Sequence, residues 1–465
     1  KKLLTSLLVS ALSFPFAANA ERLTFKEAVN KALAQNPEMA ASTARINQAE
    51  AALNKAESSR LPQITLSVTG SRSDNALNVF GMKLQQRQAT VGDFGLTEPG
   101  AGLANALAGT GPINDAYEPS SLNNPDAQTD INTRLELLLP VWNGGKIGSF
   151  EDQAQTMIEA ARNGDTAVQQ YLTYNIYQAY EAVHAARSYI DVAKQAKETA
   201  DSYVKTTQNL VDQGVVVRSE FLSAKVNQSM ATVALTKAQA QEKIALSTLK
   251  MLMDVDQKTE IDVAERFDLQ LPVNNDEELL TLALQDNPEL DAKRKQAEAS
   301  TYEIKAAKAD YYPSFNMMLR KDWNSESFGL ENSSYTVAGV FSWKLTDFGV
   351  TEGAVNMAAA AAAQKKAEAR SHENKVRLQL LTAWNKLQAA EQQVLSNLLA
   401  VQQADEARRL VLKRYNNGIA TITELLAANT QLDKARAELV AARYEVNVQK
   451  ATLLLATGRM DTARL

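Results

Sequence analysis

Two glutamates, Glu220 and Glu424, each stand six residues after a glycine, Gly214 and Gly418, at one displacement (424 − 220 = 418 − 214 = 204). Carboxylates repeated where long helices reverse could attract cations to an entrance, because low-dielectric walls focus their field. They could equally be exposed first-turn residues favoured by the positive end of the helix dipole. Residues for other chemistry are sparse. His184 and His372 are the only two histidines; their displacement of 188 (372 − 184) puts them at unmatched positions, and each reads as a helix-surface or packing residue. Gly144-Gly145-Lys146 lacks the spacing of a phosphate loop and reads as a strand-to-helix turn. Met251, Met253, Met317 and Met318 are too few for a soft-metal relay and read as packing. No catalytic cluster, cofactor site or metal site is expected, so the chain is not expected to be an enzyme.

The elements that must position the glutamates are written twice. Asn36-Pro37-Glu38 recurs as Asn287-Pro288-Glu289 and Leu61-Pro62 as Tyr312-Pro313, both displaced by 251 (288 − 37 = 313 − 62). Gly145 and Gly214 recur as Gly349 and Gly418, displaced by 204, so the first copy carries 47 extra residues (251 − 204) between Pro62 and Gly145. Repetition at this scale decides how the whole fold is read. The first copy spans 21–253, a linker 254–276, and the second copy 277–465.

Residues 1–20 read as a secretory signal: Lys1-Lys2, an apolar stretch from Leu3 to Phe16, then Ala18-Asn19-Ala20 as the cleavage site. Its removal takes the formal charge from −5 to −7, since Lys1 and Lys2 are its only charges. Beyond it no apolar run of about eighteen residues suggests a membrane helix. Cysteine is absent, so an exported chain must rely on burial and assembly. With 49 Lys and Arg against 54 Asp and Glu, no nucleic-acid partner is expected.

Each copy has one order: a short helical pair, a strand, a connection, a second strand and two long helices. Strands are expected at about 62–70, 131–142, 314–323 and 335–345, and helices at 145–213, 217–253, 349–417 and 421–457. Ile64, Leu66 and Val68 share one strand face, as do Tyr335, Val337, Gly339, Phe341 and Trp343. About seventy helical residues reach on the order of 100 Å. Ile176, Ala179, Val183, Ala186, Ile190 and Ala193 repeat at three and four, as do Leu425, Ala428, Leu432, Ala435, Leu439, Ala442 and Val446. Such a seam means coiled-coil packing. Residues 71–130, rich in Gly, Asn and Pro, read as a long loop with one short helix near Leu103 to Ala108. Both flanks are strands, which places this loop at the cell surface if the strands belong to an outer-membrane barrel. Four strands cannot close such a barrel, so copies of the chain must share one, or each half is an ordinary soluble hairpin.

Arg414-Tyr415-Asn416-Asn417-Gly418-Ile419, Glu424-Leu425-Leu426 and the run from Ala435 to Tyr444 resemble the closing helix pair of the TolC family of outer-membrane efflux proteins. The repeated Asn-Pro-Glu, the turn from Pro140 to Gly145 and the glycine at each tip match as well, and the resemblance covers nearly all of the chain except about 71–130. It implies a mainly α fold with membrane β: a homotrimer whose twelve-stranded outer-membrane β-barrel, four strands per chain, continues as a periplasmic α-helical coiled-coil barrel. It further implies a passive exit duct for efflux or secretion, in contact with outer-membrane lipid, a periplasmic adaptor protein and an inner-membrane transporter. By the same resemblance Glu220, Glu424 and Tyr415 gate the periplasmic entrance, and Gly214, Val215, Gly418 and Ile419 form the hairpin tips that meet the adaptor. The family's gating arginine would fall two residues after the tip glycine, where this chain has Ala420; Arg218 or Arg414 is left to replace it. The alternative is a periplasmic coiled-coil scaffold without channel activity.

Overall fold

The computed structural model describes residues 21–461, so the signal expected at 1–20 lies outside the described residues. The elements in order are β1 (Glu21–Leu23), α1 (Phe25–Gln35), α2 (Pro37–Ser58), β2 (Gln63–Ser73), α3 (Ala76–Gln85), α4 (Leu103–Leu107), α5 (Ser120–Asn123), β3 (Gln128–Asn143), α6 (Lys146–Asp212), α7 (Arg218–Leu252), β4 (Ile261–Val263), α8 (Asp276–Asp286), α9 (Pro288–Lys308), β5 (Ser314–Ser325), β6 (Ser333–Ser342), α10 (Val350–Asn416) and α11 (Ile422–Ala456). Their spans follow the sequence displacements. α8 and α9 start 251 residues after α1 and α2 (276 − 25 = 288 − 37). α10 and α11 start 204 after α6 and α7 (350 − 146 = 422 − 218), and each pair measures 67 and 35 residues. The β2–β3 connection holds 54 residues, 74–127, and the β5–β6 connection seven, 326–332; their difference is the 47 extra residues (54 − 7).

One compact unit comprises residues up to 48, 158–296 and 365 onward. Its core is the expected α6 seam, with Ile176, Ala179, Val183, Ala186, Ile190 and Ala193 all buried. Phe25 of α1 packs against Tyr177, Tyr180 and Phe267. β1 pairs in parallel with β4, and the Tyr180 hydroxyl closes this corner by donating to the Leu23 and Glu265 carbonyls at 3.2 and 3.1 Å. His184, one turn along α6, lies against the Tyr180 ring. Burial lowers its pKa to about 4, helped by Arg266 and Arg187.

The repeated Asn-Pro-Glu has a mechanical role. Asn36 accepts from the Glu38 amide and donates its side-chain NH to the carbonyl of Leu252, the last residue of α7, at 2.8 Å. Asn287 does the same with the Leu290 amide and with Ala456, the last residue of α11, at 3.0 Å. One side chain thus caps the helix that its proline opens and occupies an orphan carbonyl of another. Replacing Asn36 with alanine strands that carbonyl in a largely buried place and should cost about 1–3 kcal/mol. A lowered melting temperature of the helical signal would register the loss, and an unchanged one would show the staple to be idle.

The second unit comprises 49–157 and 297–364. It holds an antiparallel sheet of order β2-β3-β5-β6, whose edge strands β2 and β6 each have one unpaired side. Register puts Leu66, Leu135, Lys321 and Tyr335 in one row and Ile64, Leu137, Leu319 and Val337 in the next, on a face that is apolar in these rows but for Lys321. The other face is polar: Asp130, Asn132, Arg134 and Glu136 alternate along β3, with Asn324, Asp322 and Arg320 opposite them on β5. Arg134 and Arg320 both pair with Asp322 at 2.8 Å. A bulge between Pro140 and Trp142 accommodates the proline, which cannot donate to the ladder. Each half then turns from strand to helix through two left-handed residues, Gly144-Gly145 (φ 66° and 85°) and Phe348-Gly349 (φ 52° and 98°).

The 74–127 connection is more ordered than a loop with one helix. The expected short helix is α4, but α3 and α5 accompany it. α3 was hidden because Gly81 sits in its middle; Asn75 starts it by accepting from the Asn78 amide. Two carboxylates hold the connection's interior. Asp93 is pulled down to about 2 by hydrogen bonds from Lys83 and Thr90, and Glu98 to about 2 by those of Ser121 and Tyr117. Both folded values lie below the ordinary 3.8 and 4.5. Their stabilisation is therefore present above about pH 4.5 and lost as pH falls toward 2. A spin label on Gly111→Cys should gain mobility over that window, and at neutral pH in a Glu98→Gln background.

The hairpin tips as candidate entrance

Both long hairpins reverse in the same way. Gly214 and Gly418 have φ of 70°. At the first tip the Gly214 amide donates to the Val211 carbonyl and the Val215 amide to the Leu210 carbonyl, both at 2.9 Å. At the second tip Gly418 donates to Tyr415 and Ile419 to Arg414. This is the Schellman closure, in which a left-handed residue lets two amides fold back onto the last carbonyls. Val215, Val217 and Ile419 are left exposed at the turns.

The two glutamates are equivalent in sequence but not in surroundings. α11 begins with a capping box: the Thr421 hydroxyl accepts from the Glu424 amide, and a Glu424 carboxylate oxygen accepts from the Thr421 amide, both at 3.3 Å. Arg414 stands 3.9 Å from the other carboxylate oxygen, with both side chains about half exposed, so this ion pair contributes little by itself. α7 begins at Val217, which offers no side-chain cap. Glu220 is only half buried, yet one of its carboxylate oxygens is shielded and finds no hydrogen-bond partner among the described residues.

Tyr415 is buried in an apolar cluster with Tyr203, Ile422 and Leu425, and its hydroxyl finds no partner among the described residues. Asn429 donates to the Tyr203 hydroxyl at 3.2 Å and to the Leu425 carbonyl at 2.8 Å, joining α11 to α6 just above the tips. Sequence reasoning missed both Tyr203 and Asn429. Here the apolar row of α11 runs Ile422, Leu425, Asn429, Leu432, so Asn429 takes the place assigned to Ala428. A lone Asn in such a row was the available signal, since a buried polar residue there specifies register. The structure therefore brings Tyr415, Arg414 and Glu424 together on one hairpin and leaves Glu220 on the other.

The family model described as outer membrane efflux protein matches residues 28–97, 105–254 and 279–459. The chain belongs to the outer membrane efflux protein family. It is similar to the outer membrane efflux protein BepC of Brucella suis biovar 1 (strain 1330), 23% identical over 359 residues, covering 76% of this chain and 78% of BepC. It is also similar to the alkaline protease secretion protein AprF of Pseudomonas aeruginosa, 25% identical over 313 residues, covering 64% and 63% of the two chains. The solved outer membrane protein VceC of Vibrio cholerae shares the fold, with a TM-score of 0.75 at 17% identity over 93% of this chain and 96% of that one. As an outer membrane efflux protein, the chain is an outer-membrane exit duct that reaches into the periplasm. The family is one of ducts rather than enzymes, and its members serve efflux and secretion machines.

Proposed function

We propose that this outer membrane efflux protein works as a homotrimer built on an internal twofold repeat. Four strands from each of three chains close a twelve-stranded barrel, and the long hairpins of three chains form the periplasmic conduit. The observation that carries this reading is the sheet. Ile64, Leu66, Val68, Leu135, Met317, Leu319, Tyr335, Val337 and Phe341 all lie on one face and are 41–78% exposed in the single chain. No helix among the described residues is long and apolar enough to cross a membrane. An apolar face of this kind beside a charged one suits a barrel wall between lipid and water. Exposed Trp142, Tyr311, Tyr312 and Trp343 gather at the end of the sheet where β3 and β6 finish and β5 begins, as an aromatic girdle would.

The helices also leave work for other copies. α7 presents Val226, Met230, Val233, Ile244 and Met251 as an exposed row at heptad spacing, a seam without a partner among the described residues. Glu220, Glu424 and Tyr415 then surround the periplasmic entrance, with Arg414 in place of the missing arginine. Val215 and Ile419 at the tips meet the adaptor that links the duct to an inner-membrane transporter, which selects the cargo. The mass of the detergent-solubilised protein should be that of three chains, and an impermeant reagent should label Gly111→Cys on intact cells. A freely soluble monomeric chain would overturn the barrel and favour the coiled-coil scaffold.

A further inference from the structure

The 47 extra residues have no counterpart in the second half, and their place on the sheet is specific. Gln86, just after α3, is 1% exposed, and its side-chain NH donates to the Thr129 carbonyl at 2.8 Å and to Asp130 at 2.9 Å. Gln128 returns a bond to the Gln86 side-chain oxygen at 3.0 Å. Asn324 of β5, 3% exposed, donates to the second oxygen of Asp130 at 2.8 Å. Arg87 donates to the Ser333 carbonyl at the start of β6 at 2.9 Å.

These contacts choose a face. Asp130 lies on the side of β3 that carries Asn132, Arg134 and Glu136, and Asn324 pairs in register with Asn132. Buried amides and carboxylates left unbonded would be costly, so this satisfied network specifies one docked position. The connection is therefore fastened over the polar face of the sheet and not beside the apolar one.

We propose that residues 74–127 fold into the outer mouth of the barrel, held by Gln86, Asp130 and Asn324, and set the size of what leaves the duct. The proposal rests on the barrel reading, in which the polar face lines the lumen. Three copies would narrow one mouth from its wall inward, so the exit becomes a size filter separate from the periplasmic entrance. Lys83 with Asp93, and Glu98 with Tyr117 and Ser121, hold the body of each copy together, so that it obstructs as a folded piece.

The test is polymer exclusion in single-channel recordings, with polyethylene glycols of graded mass added to one side at a time. Gln86→Ala should raise the largest polymer that enters from one side by about twofold in mass or more and leave the other side unchanged, because pore width and lining set access. A second variant, with 91–124 replaced by a short Gly-Ser bridge, should give at least the same shift while keeping Gln86 and all four strands. Equal heat resistance of the trimers guards against misfolding. Conducting trimers with the same cut-off as the unaltered protein on both sides, in both variants, would overturn the filter and spare the barrel. Chains that form no pores at all would overturn the barrel itself.

Discussion

Channels carrying Glu220→Gln and Glu424→Gln together should lose most of their preference for cations, and block by multivalent cations should weaken about tenfold or more, since unit charges at contact distance in a partly desolvated site interact by several kcal/mol. In the proposed trimer, six carboxylates would disappear from one entrance. The change is nearly isosteric, and a glutamine oxygen can still accept from the Thr421 amide, so the α11 cap survives the loss of charge. The single variants should differ. Glu424 is shared with Thr421 and Arg414, whereas among the described residues no partner offsets the shielded oxygen of Glu220, so Glu220→Gln should move selectivity the more. Tyr415→Phe should leave selectivity alone, because its hydroxyl is unbonded among the described residues. If that hydroxyl bridges to a neighbouring copy, basal conductance will rise. Unaltered selectivity in the double variant would mean that both glutamates are merely helix-start residues.

Phe25→Ala should be the most destabilising single truncation in the helical unit, at about 3–5 kcal/mol for an aromatic removed from a closed core. Its ring lies 5.4 Å from Tyr177 and 6.0 Å from Tyr180, edge-on to both, and 4.9 Å from Phe267. Tyr177 and Tyr180 are kept from swinging into the space, because their hydroxyls hold them to the Phe267, Leu23 and Glu265 carbonyls. The melting temperature of the helical signal should fall well below that of a surface variant such as Lys26→Ala. A fall no larger than that control would mean that this corner repacks.

Much of the fold was legible because it depends on periodicity. Ile176 and Val183 announce a buried seam wherever α6 lies, and Gly214 and Gly418 announce reversals. The candidate entrance was less legible. Glu220 and Glu424 look identical as letters, and the difference between Val217 and Thr421 as cap residues separates them. Arg414 could be named only as one of two possible partners, because its closeness to Glu424 depends on how the Gly418 turn closes. The docking of Gln86 onto Asp130 was invisible, since it joins residues 44 positions apart through a connection whose composition resembles a loop. The staple made by Asn36 lay unread inside a recognised motif, because its partner is a backbone carbonyl 216 residues away.

The two strand-to-helix turns share a left-handed backbone but not tolerance for change. A methyl group on Gly144 would sit 2.5 Å from the Ala309 carbonyl oxygen, so every other amino acid is excluded there by collision as well as by handedness. At the matching place the chain carries Phe348, left-handed and almost wholly exposed, and only the modest strain of its angle limits the choice. Descendants of this gene should therefore accept several residue types at position 348 and remain glycine at 144. Two turns of one hand would accumulate change at unequal rates.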